Sequence, residues 1–436
     1  MAELFGPPDH RPFDVAYWNG EVEHGSKDAR YALRITRPGA LRCMLLPPSE
    51  LSIVEAYLSG DVEVDGDLES AVTLADAINA RVKSPRVVAR IVRHLVALPR
   101  HDETTDVREA RAERVVSGTG SRHDKARDRR AIQYHYDVGN DFYALWLDER
   151  MVYSCAYFAS PDMTLDDAQC AKLDLVCRKL RLRPDERLLD VGCGWGALIM
   201  HAASRYGVRT LGITLSDAQA SWARERIERA GLSDRCRVEV MDYRDAPNAG
   251  MFDKIASVGM VEHVGVDHLP AYFGALHAAL VPGGLFLNHG IVSRNEARSR
   301  TWRERVERRL WRRDEFIDQY VFPDGKLGPL HAVIAAAEAA GFETRDAESL
   351  REHYATTLRA WLGRLTSKED EITALVGART YRTWRLYMTA SAHSFAHATL
   401  NIVQTLLAKP DANGQSNIPR TRADLYQHGP STQPSP

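Results

Sequence analysis

At 436 residues the chain exceeds one typical domain and can bury a sizeable core, and its 44% hydrophobic and 27% charged residues are the balance of an ordinary water-soluble fold. A net charge of -2 excludes a global attraction to nucleic acid or to an anionic membrane, so any such binding must come from a local patch. Cys43, Cys155, Cys170, Cys177, Cys193 and Cys236 form no C-x-x-C pair, so neither a metal site nor a disulfide framework is expected, and a reducing cytoplasm is the natural compartment. The start, Met1 to Asp9, lacks the basic and apolar regions of a signal peptide. No apolar run approaches the ~18 residues of a spanning helix.

Residues 1–115 read as a small N-terminal accessory α+β domain. Tyr31-Ala-Leu-Arg-Ile-Thr alternates like a strand, and Pro47-Pro48 breaks the chain. Ser49 is placed to cap a helix running to Leu58, with Glu50 in its first turn. Gly60 to Leu68 is an acidic alternating run; its carboxylates lack the spacing of a calcium loop, so it reads as a solvated strand and turn. Leu68–Ala80 and Val87–Leu98 read as helices, and none of these elements carries recognisable chemistry. From about residue 100 the chain turns polar, ending in Asp124-Lys-Ala-Arg-Asp-Arg-Arg, and 116–130 is read as a linker.

Residues 131–408 form the second domain. It opens with dense aromatics, among them Tyr134, Tyr136, Phe142, Tyr143, Trp146, Tyr153, Tyr157 and Phe158. Some must pack in the core, and the rest suit the wall of a long apolar pocket. Strands are then expected at Arg187–Val191, Arg209–Ile213, Arg237–Met241, Asp253–Val258 and Leu285–Asn288. Helices are expected at Ala197–Tyr206, Asp217–Ala230 and Leu269–Leu280. Such alternation predicts an α/β fold with a doubly wound, Rossmann-like parallel sheet. Ala332–Ala340 reads as a helix, Arg379–Leu407 as helical, and 409–436 as a disordered tail rich in Pro, Asn, Gln and Ser.

The most informative stretch is Leu188-Leu-Asp-Val-Gly-Cys-Gly-Trp-Gly, a strand, a glycine turn and the start of a helix. Glycines there let a ligand approach the backbone where a side chain would block it. A dinucleotide site carries its acidic residue roughly 20 residues after the glycines. Here Asp190 comes before them, in the order Asp-x-Gly-x-Gly-x-Gly that resembles motif I of class I S-adenosylmethionine-dependent methyltransferases. Ligands of such sheets bind beyond the carboxyl ends of the strands, which singles out Thr214-Leu-Ser, Asp242-Tyr243, Glu262-His263 and His289.

Arg294–Arg313 holds nine arginines against Glu296, Glu304 and Glu307, a net of +6, with Trp302 and Trp311 among them. No nucleic-acid-binding motif accompanies the patch, so nucleic acid is not expected as a partner. A basic stretch with tryptophans suits an anionic lipid surface, and a solvated arginine face is the plainer alternative.

His135-Tyr-Asp-Val-Gly-Asn-Asp-Phe-Tyr, Tyr153-Ser-Cys-Ala-Tyr-Phe, the Asp190 turn, Gly212-Ile-Thr-Leu-Ser, Asp242-Tyr-Arg-Asp and Val258-Gly-Met-Val-Glu-His-Val-Gly together resemble the cyclopropane-fatty-acyl-phospholipid synthases and their mycolic acid relatives. The resemblance runs from about Ala131 to Ala408, and Glu55-Ala-Tyr-Leu-Ser-Gly-Asp resembles the extra N-terminal domain of the phospholipid enzymes. It implies transfer of a methylene group from S-adenosylmethionine across a cis double bond of an unsaturated phospholipid acyl chain. It also implies a homodimer, peripheral to the inner face of the membrane. A carbocation would lose a proton to bound bicarbonate, caged by Cys155 and Ile291 through their backbone and by Glu262, His289 and Tyr354. The cofactor would meet Tyr153, Ser154, Asp190, Gly192, Gly194, Gly196, Thr214, Leu215 and Gln219, with Asp242 and Tyr243 at its adenine end. A methyl already activated as a sulfonium needs no covalent relay, so Cys155 is not expected to act as a nucleophile. Two departures stand out: Thr214 ends the second strand where ordinary methyltransferases have an acidic residue, and Leu362 stands where an aromatic is expected. A methyl- or methylene-branching methyltransferase on the same scaffold remains the alternative, and a small-molecule methyltransferase a more distant one.

Overall fold

The computed structural model describes residues 1–46, 49–74, 85–99, 125, 138–293, 327–416 and 418–426. The arginine-rich stretch, most of the expected linker and the Tyr134–Asp137 motif therefore lie outside the described residues. Two compact units emerge. One gathers described residues of 1–120 and 358–396, the other those of 121–295, 324–357 and 397–436.

The first unit carries a sheet of β1 (Phe13–Ala16), β2 (Val22–Glu23), β3 (Tyr31–Ile35) and β4 (Val62–Gly66), ordered β2-β1-β3-β4. In β3 the alternation seen in sequence becomes alternating burial, with Tyr31, Leu33 and Ile35 inside. The helix Glu50–Leu58 starts at Ser49 as expected, through a reciprocal cap in which Ser49 and Ser52 each accept the other's backbone amide. Residues 358–396 join this unit through ion pairs that sequence does not announce: Arg359 with Glu69, Arg379 with Glu55 and Arg382 with Glu63.

The second unit is built on a seven-stranded sheet. Its strands are β5 (Arg187–Val191), β6 (Arg209–Thr214), β7 (Cys236–Val240), β8 (Phe252–Val258), β9 (Leu280–Ser293), β10 (Glu343–Ser349) and β11 (Leu400–Ala408). Their order is β10-β11-β9-β8-β5-β6-β7. From β7 to β9 every pairing is parallel, as the strand–helix alternation predicts, whereas β11 joins β9, and β10 joins β11, antiparallel. Neighbouring residues of one strand serve opposite layers. Leu188, Leu285 and Leu287 pack with Leu173, Val176, Leu198 and Ala202, while Leu189 and Phe286 pack with Phe273, Leu276, Val333 and Ala337.

Three expectations need correction. Arg379–Leu407 is not helical throughout: the helix ends at Ala396 and Leu400–Ala408 is a buried strand. The β-branched Ile402, Val403 and Thr405 suit a pleated surface, and β9 offers an edge along all nine residues of β11. The fifth strand extends well beyond Leu285–Asn288, because that same pairing carries it to Ser293. Finally, the expected disordered tail is tied down through Tyr426. Lys409 Nζ donates to the carbonyls of His277 and Leu280 at 2.8 Å, and Arg181 pairs with Asp424 at 2.7 Å.

Candidate active site

The glycine turn after β5 closes because Gly192, Gly194 and Gly196 adopt φ of +81°, +54° and +83°, a region other residues enter only under strain. The amides of Gly192 and Cys193 both donate to the Ile213 carbonyl, at 2.9 and 3.0 Å, which locks the turn to β6. A Cβ built on Gly194 would meet nothing within 4 Å, so the turn faces open space. That space is a cleft at the carboxyl edge of the sheet, lined by Tyr153, Ser154, Asp190, Gly192, Gly194, Thr214, Leu215, Gln219 and Tyr243 of the expected cofactor set. Gly196 does not line it; it precedes the helix Ala197–Tyr206 in left-handed conformation. Nor does Asp242, whose carboxylate accepts from the guanidinium of its neighbour Arg244 at 2.6 and 2.7 Å. Thr214 Oγ1 donates to Gln219 Oε1 at 2.8 Å, and Ser216 caps the helix that carries Gln219.

Asp190 is buried and its carboxyl is pushed up to about 7 by burial, with Lys172 pulling the other way. Lys172 itself is buried and is lowered to about 8 by burial, against the pull of Asp148, Cys155 and Asp190. Its Nζ donates to Ser154 Oγ at 2.9 Å, while Gln169 Nε2 donates to the Ser154 carbonyl at 2.8 Å. Sequence reasoning missed Lys172. The available signal was that Gln169 and Lys172 fall on the face of Leu165–Lys179 that also carries Leu165, Ala168 and Val176, so two polar residues occupy core positions. His263, singled out at the sheet edge but given no role, lines the cleft, and burial holds it neutral by lowering it to about 4.

None of the five residues expected around a base lines this cleft, although Cys155 and Glu262 each adjoin a residue that does, and the carbonyl of His289 accepts the amide of Gly259, another lining residue. Glu262, in the short helix after β8, accepts the Ile291 amide on Oε1 at 2.8 Å. Burial pushes its carboxyl up to about 7. His289 on β9 is fully buried, which drives it well below its ordinary value and keeps it neutral. Its Nδ1 lies 3.2 Å from Gln404 Nε2. Neither Glu262 Oε2 nor His289 Nε2 has a hydrogen-bond partner among the described residues, although both atoms are buried. Such an orphan costs about 1–3 kcal/mol, so two of them beside a cleft point to a polar ligand.

Cys155 is buried, and burial raises its thiol far above the ordinary range, so the group is a neutral thiol donating weakly to carbonyl oxygens of Ala156 and Leu350. The segment around it is strapped to the start of the helix Arg351–Ser367. The Ala156 amide donates to Thr357 Oγ1 at 3.0 Å, the Phe158 amide donates to His353 Nδ1 at 3.1 Å, and Tyr157 stacks on the His353 ring. Tyr354 sits in that helical turn, buried. Leu350 in turn donates its amide to Ile402, which pairs with Ile291. Cys155–Phe158, the Tyr354 turn and β9 are thus joined by a short series of side-chain and backbone contacts.

With this geometry in view, the relatives are informative. Residues 123–405 match the family model described as mycolic acid cyclopropane synthetase, and residues 1–81 match a domain of unknown function, DUF7884. A "Probable fatty acid methyltransferase" of Pseudomonas putida is 39% identical, covering 96% of this chain and 97% of that protein. The cyclopropane-fatty-acyl-phospholipid synthase of Escherichia coli strain K12 is 36% identical, covering 64% of this chain and 68% of that protein. Among solved structures, the cyclopropane synthase MmaA2 of Mycobacterium tuberculosis aligns at 32% identity with a TM-score of 0.59, covering 64% of this chain and 97% of that one. The mycolic acid cyclopropane synthase CmaA1, complexed with SAH and CTAB, aligns at 34% identity with the same TM-score and coverage. The chain therefore belongs to the mycolic acid cyclopropane synthetase family and is an S-adenosylmethionine-dependent methyltransferase.

Proposed function

We propose that the enzyme transfers a methylene group from S-adenosylmethionine across the cis double bond of unsaturated acyl chains in membrane phospholipids, forming a cyclopropane ring. The observation that carries this reading is the pair of buried, partnerless atoms, Glu262 Oε2 and His289 Nε2, beside the methyl-donor cleft. A transfer to oxygen or nitrogen needs one base for the acceptor's own proton. Transfer to an alkene needs the proton removed from the delivered methyl, after a carbocation has formed. S-adenosylmethionine supplies the activated methyl group, and Tyr153, Ser154, Gly192, Gly194, Thr214, Leu215, Gln219 and Tyr243 would hold it.

Bicarbonate would supply a base at this position, and the residues present fit a small polar anion. Glu262 keeps its proton more readily than an ordinary carboxyl and can donate through it, and neutral His289 can donate through a ring N–H. Cys155, Ile291 and Tyr354 would complete the cage. The Ile291 amide already donates to Glu262, so that residue's part would fall to its carbonyl or to orienting the carboxyl. Burial excludes water, which would otherwise capture a carbocation.

No described helix is long and apolar enough to cross a membrane, so the acyl chain would be met at the surface, with Arg294–Arg313 as the docking patch. The name of the Pseudomonas putida relative favours acyl chains as substrate, and it keeps a branching methyltransferase as the second reading. Incubation with methyl-labelled cofactor and unsaturated phospholipid vesicles, followed by NMR of the acyl products, tests the proposal. Ring methylene resonances support it. Methyl or vinylidene signals would select the second reading, and mass alone would not, since ring and methylene both add CH₂.

A further inference from the structure

His289 is the end of a polar row that crosses three strands. Gln404 lies directly opposite it in the β9–β11 register, and Glu348 lies directly opposite Gln404 in the β10–β11 register. Lys179, from the last turn of Leu165–Lys179, completes the row: its Nζ donates to Gln404 Oε1 at 2.7 Å and forms an ion pair with Glu348. Gln404, His289 and Lys179 are all essentially inaccessible, and only Glu348 reaches solvent.

The row has a direction. An ammonium group only donates, so the Gln404 oxygen must face Lys179 and its NH₂ must face His289. That NH₂ also only donates, so His289 Nδ1, 3.2 Å away, must accept. A neutral imidazole accepting on Nδ1 carries its hydrogen on Nε2, the atom without a partner. We propose that Lys179 and Gln404 are positioning residues that hold His289 as the Nε2–H tautomer, so that it presents a fixed donor for an anion beside the methyl-donor cleft. The inference deepens the base-binding reading given above and rests on it. Without the row, the two tautomers would compete, and the Nδ1–H form would turn a lone pair toward the anion. Three buried members of a polar series are otherwise hard to justify against a sheet, where apolar residues of the same volume would pack without burying an ammonium.

Long-range ¹H–¹⁵N correlation spectra of ¹⁵N-histidine-labelled full-length enzyme test the assignment, with His289→Gln identifying the resonance. The expected spectrum shows Nδ1 unprotonated and Nε2 protonated near neutral pH. Gln404→Met and Lys179→Met should each convert it to a tautomer mixture and lower kcat by about 10- to 100-fold, by analogy with the loss when partners that orient a metal-bound imidazole are removed. Cofactor affinity by calorimetry should stay near wild type, and the double variant should be little worse than either single one. Lys179→Arg, which keeps a donor, should retain the tautomer and most of kcat. An Nδ1–H or doubly protonated His289 in the wild type overturns the inference, whatever the variants do. A wild type that shows the Nε2–H form but is indifferent to bicarbonate leaves the tautomer assignment standing and removes the base reading. A wild type that needs bicarbonate but shows the Nδ1–H form does the reverse.

Discussion

Glu262 Oε1 accepts the amide hydrogen of Ile291 at 2.8 Å, which ties the short helix after β8 to the carboxyl-terminal end of β9 and aims one carboxyl oxygen at the strand. The other oxygen, Oε2, is left buried with no partner among the described residues. This asymmetry separates the structural use of the carboxyl from the chemical use proposed for it, and substitution can address the two halves separately.

Glu262→Gln keeps the acceptor for Ile291 and removes the ionisation. Burial raises the folded-state value from 4.5 to about 7, so between these values the folded protein binds more protons than the unfolded chain. Stability therefore falls as pH rises through that window, by at most about 3 kcal/mol. The variant should lose less of its melting temperature than wild type between about pH 5 and about pH 8. Parallel scans of the two proteins check it; identical pH profiles would show that Glu262 titrates normally.

Turnover should move the other way. Glu262→Gln and His289→Ala should lose about 100- to 10,000-fold in kcat, the range of general-base catalysis. Phe158→Leu, which removes one aromatic face, should lose about thirtyfold, corresponding to roughly 2 kcal/mol for a desolvated cation–π contact. Wild-type product formation on vesicles should slow in bicarbonate-free buffer and recover on addition, and the two variants should respond less. A wild type indifferent to bicarbonate, with Glu262→Gln near full activity, would leave only the methyltransferase standing.

Gly194→Val should abolish measurable binding of S-adenosylmethionine. The residue has φ of +54°, and a Cβ would enter open space in the cleft rather than strike the protein. The backbone strain should cost about 1–3 kcal/mol of stability. The larger effect, a loss of affinity beyond about 100-fold or about 2.7 kcal/mol, comes from space the ligand needs. Calorimetric titration decides it, and near-normal affinity would defeat the motif reading.

Lys172 and Asp190, both buried at the wall of the cleft, act on each other's charge, so removing one should hurt more than removing both. Lys172→Met should destabilise by about 3 kcal/mol, because it leaves a buried carboxyl without its cation. Adding Asp190→Asn should restore part of that loss. Denaturant unfolding of the two single variants and the double variant gives the coupling, and strict additivity would show that the groups do not interact.

The arginine stretch is open to a test of its own. Changing Arg303, Arg305, Arg308 and Arg309 to Gln should weaken sedimentation with anionic vesicles, each charge contributing about 1 kcal/mol at low salt. Unchanged, salt-insensitive sedimentation would make the stretch a solvated face.

The nucleotide-type turn, the parallel strands β5 to β9 and the places of Asp190 and Glu262 at strand ends were legible in the sequence, because each follows from a short-range pattern, whereas His289, expected after the fifth strand, lies within β9, level with the end of β8. Glycines at positive φ, a buried apolar strand and a helix of period 3.6 are written in adjacent residues, and the parallel sheet then dictates where strand ends lie. Only the tertiary structure decided that Leu400–Ala408 is a strand, since a short apolar run takes its conformation from the edge it meets, here β9. It alone joined 358–396 to the N-terminal unit and fastened the chain through Tyr426, through ion pairs between residues far apart in sequence. The same holds for Lys172, Lys179 and Gln404. Helix spacing can flag Lys172 as a polar residue at a core position, but the partner that each of the three meets once buried is encoded by no local pattern.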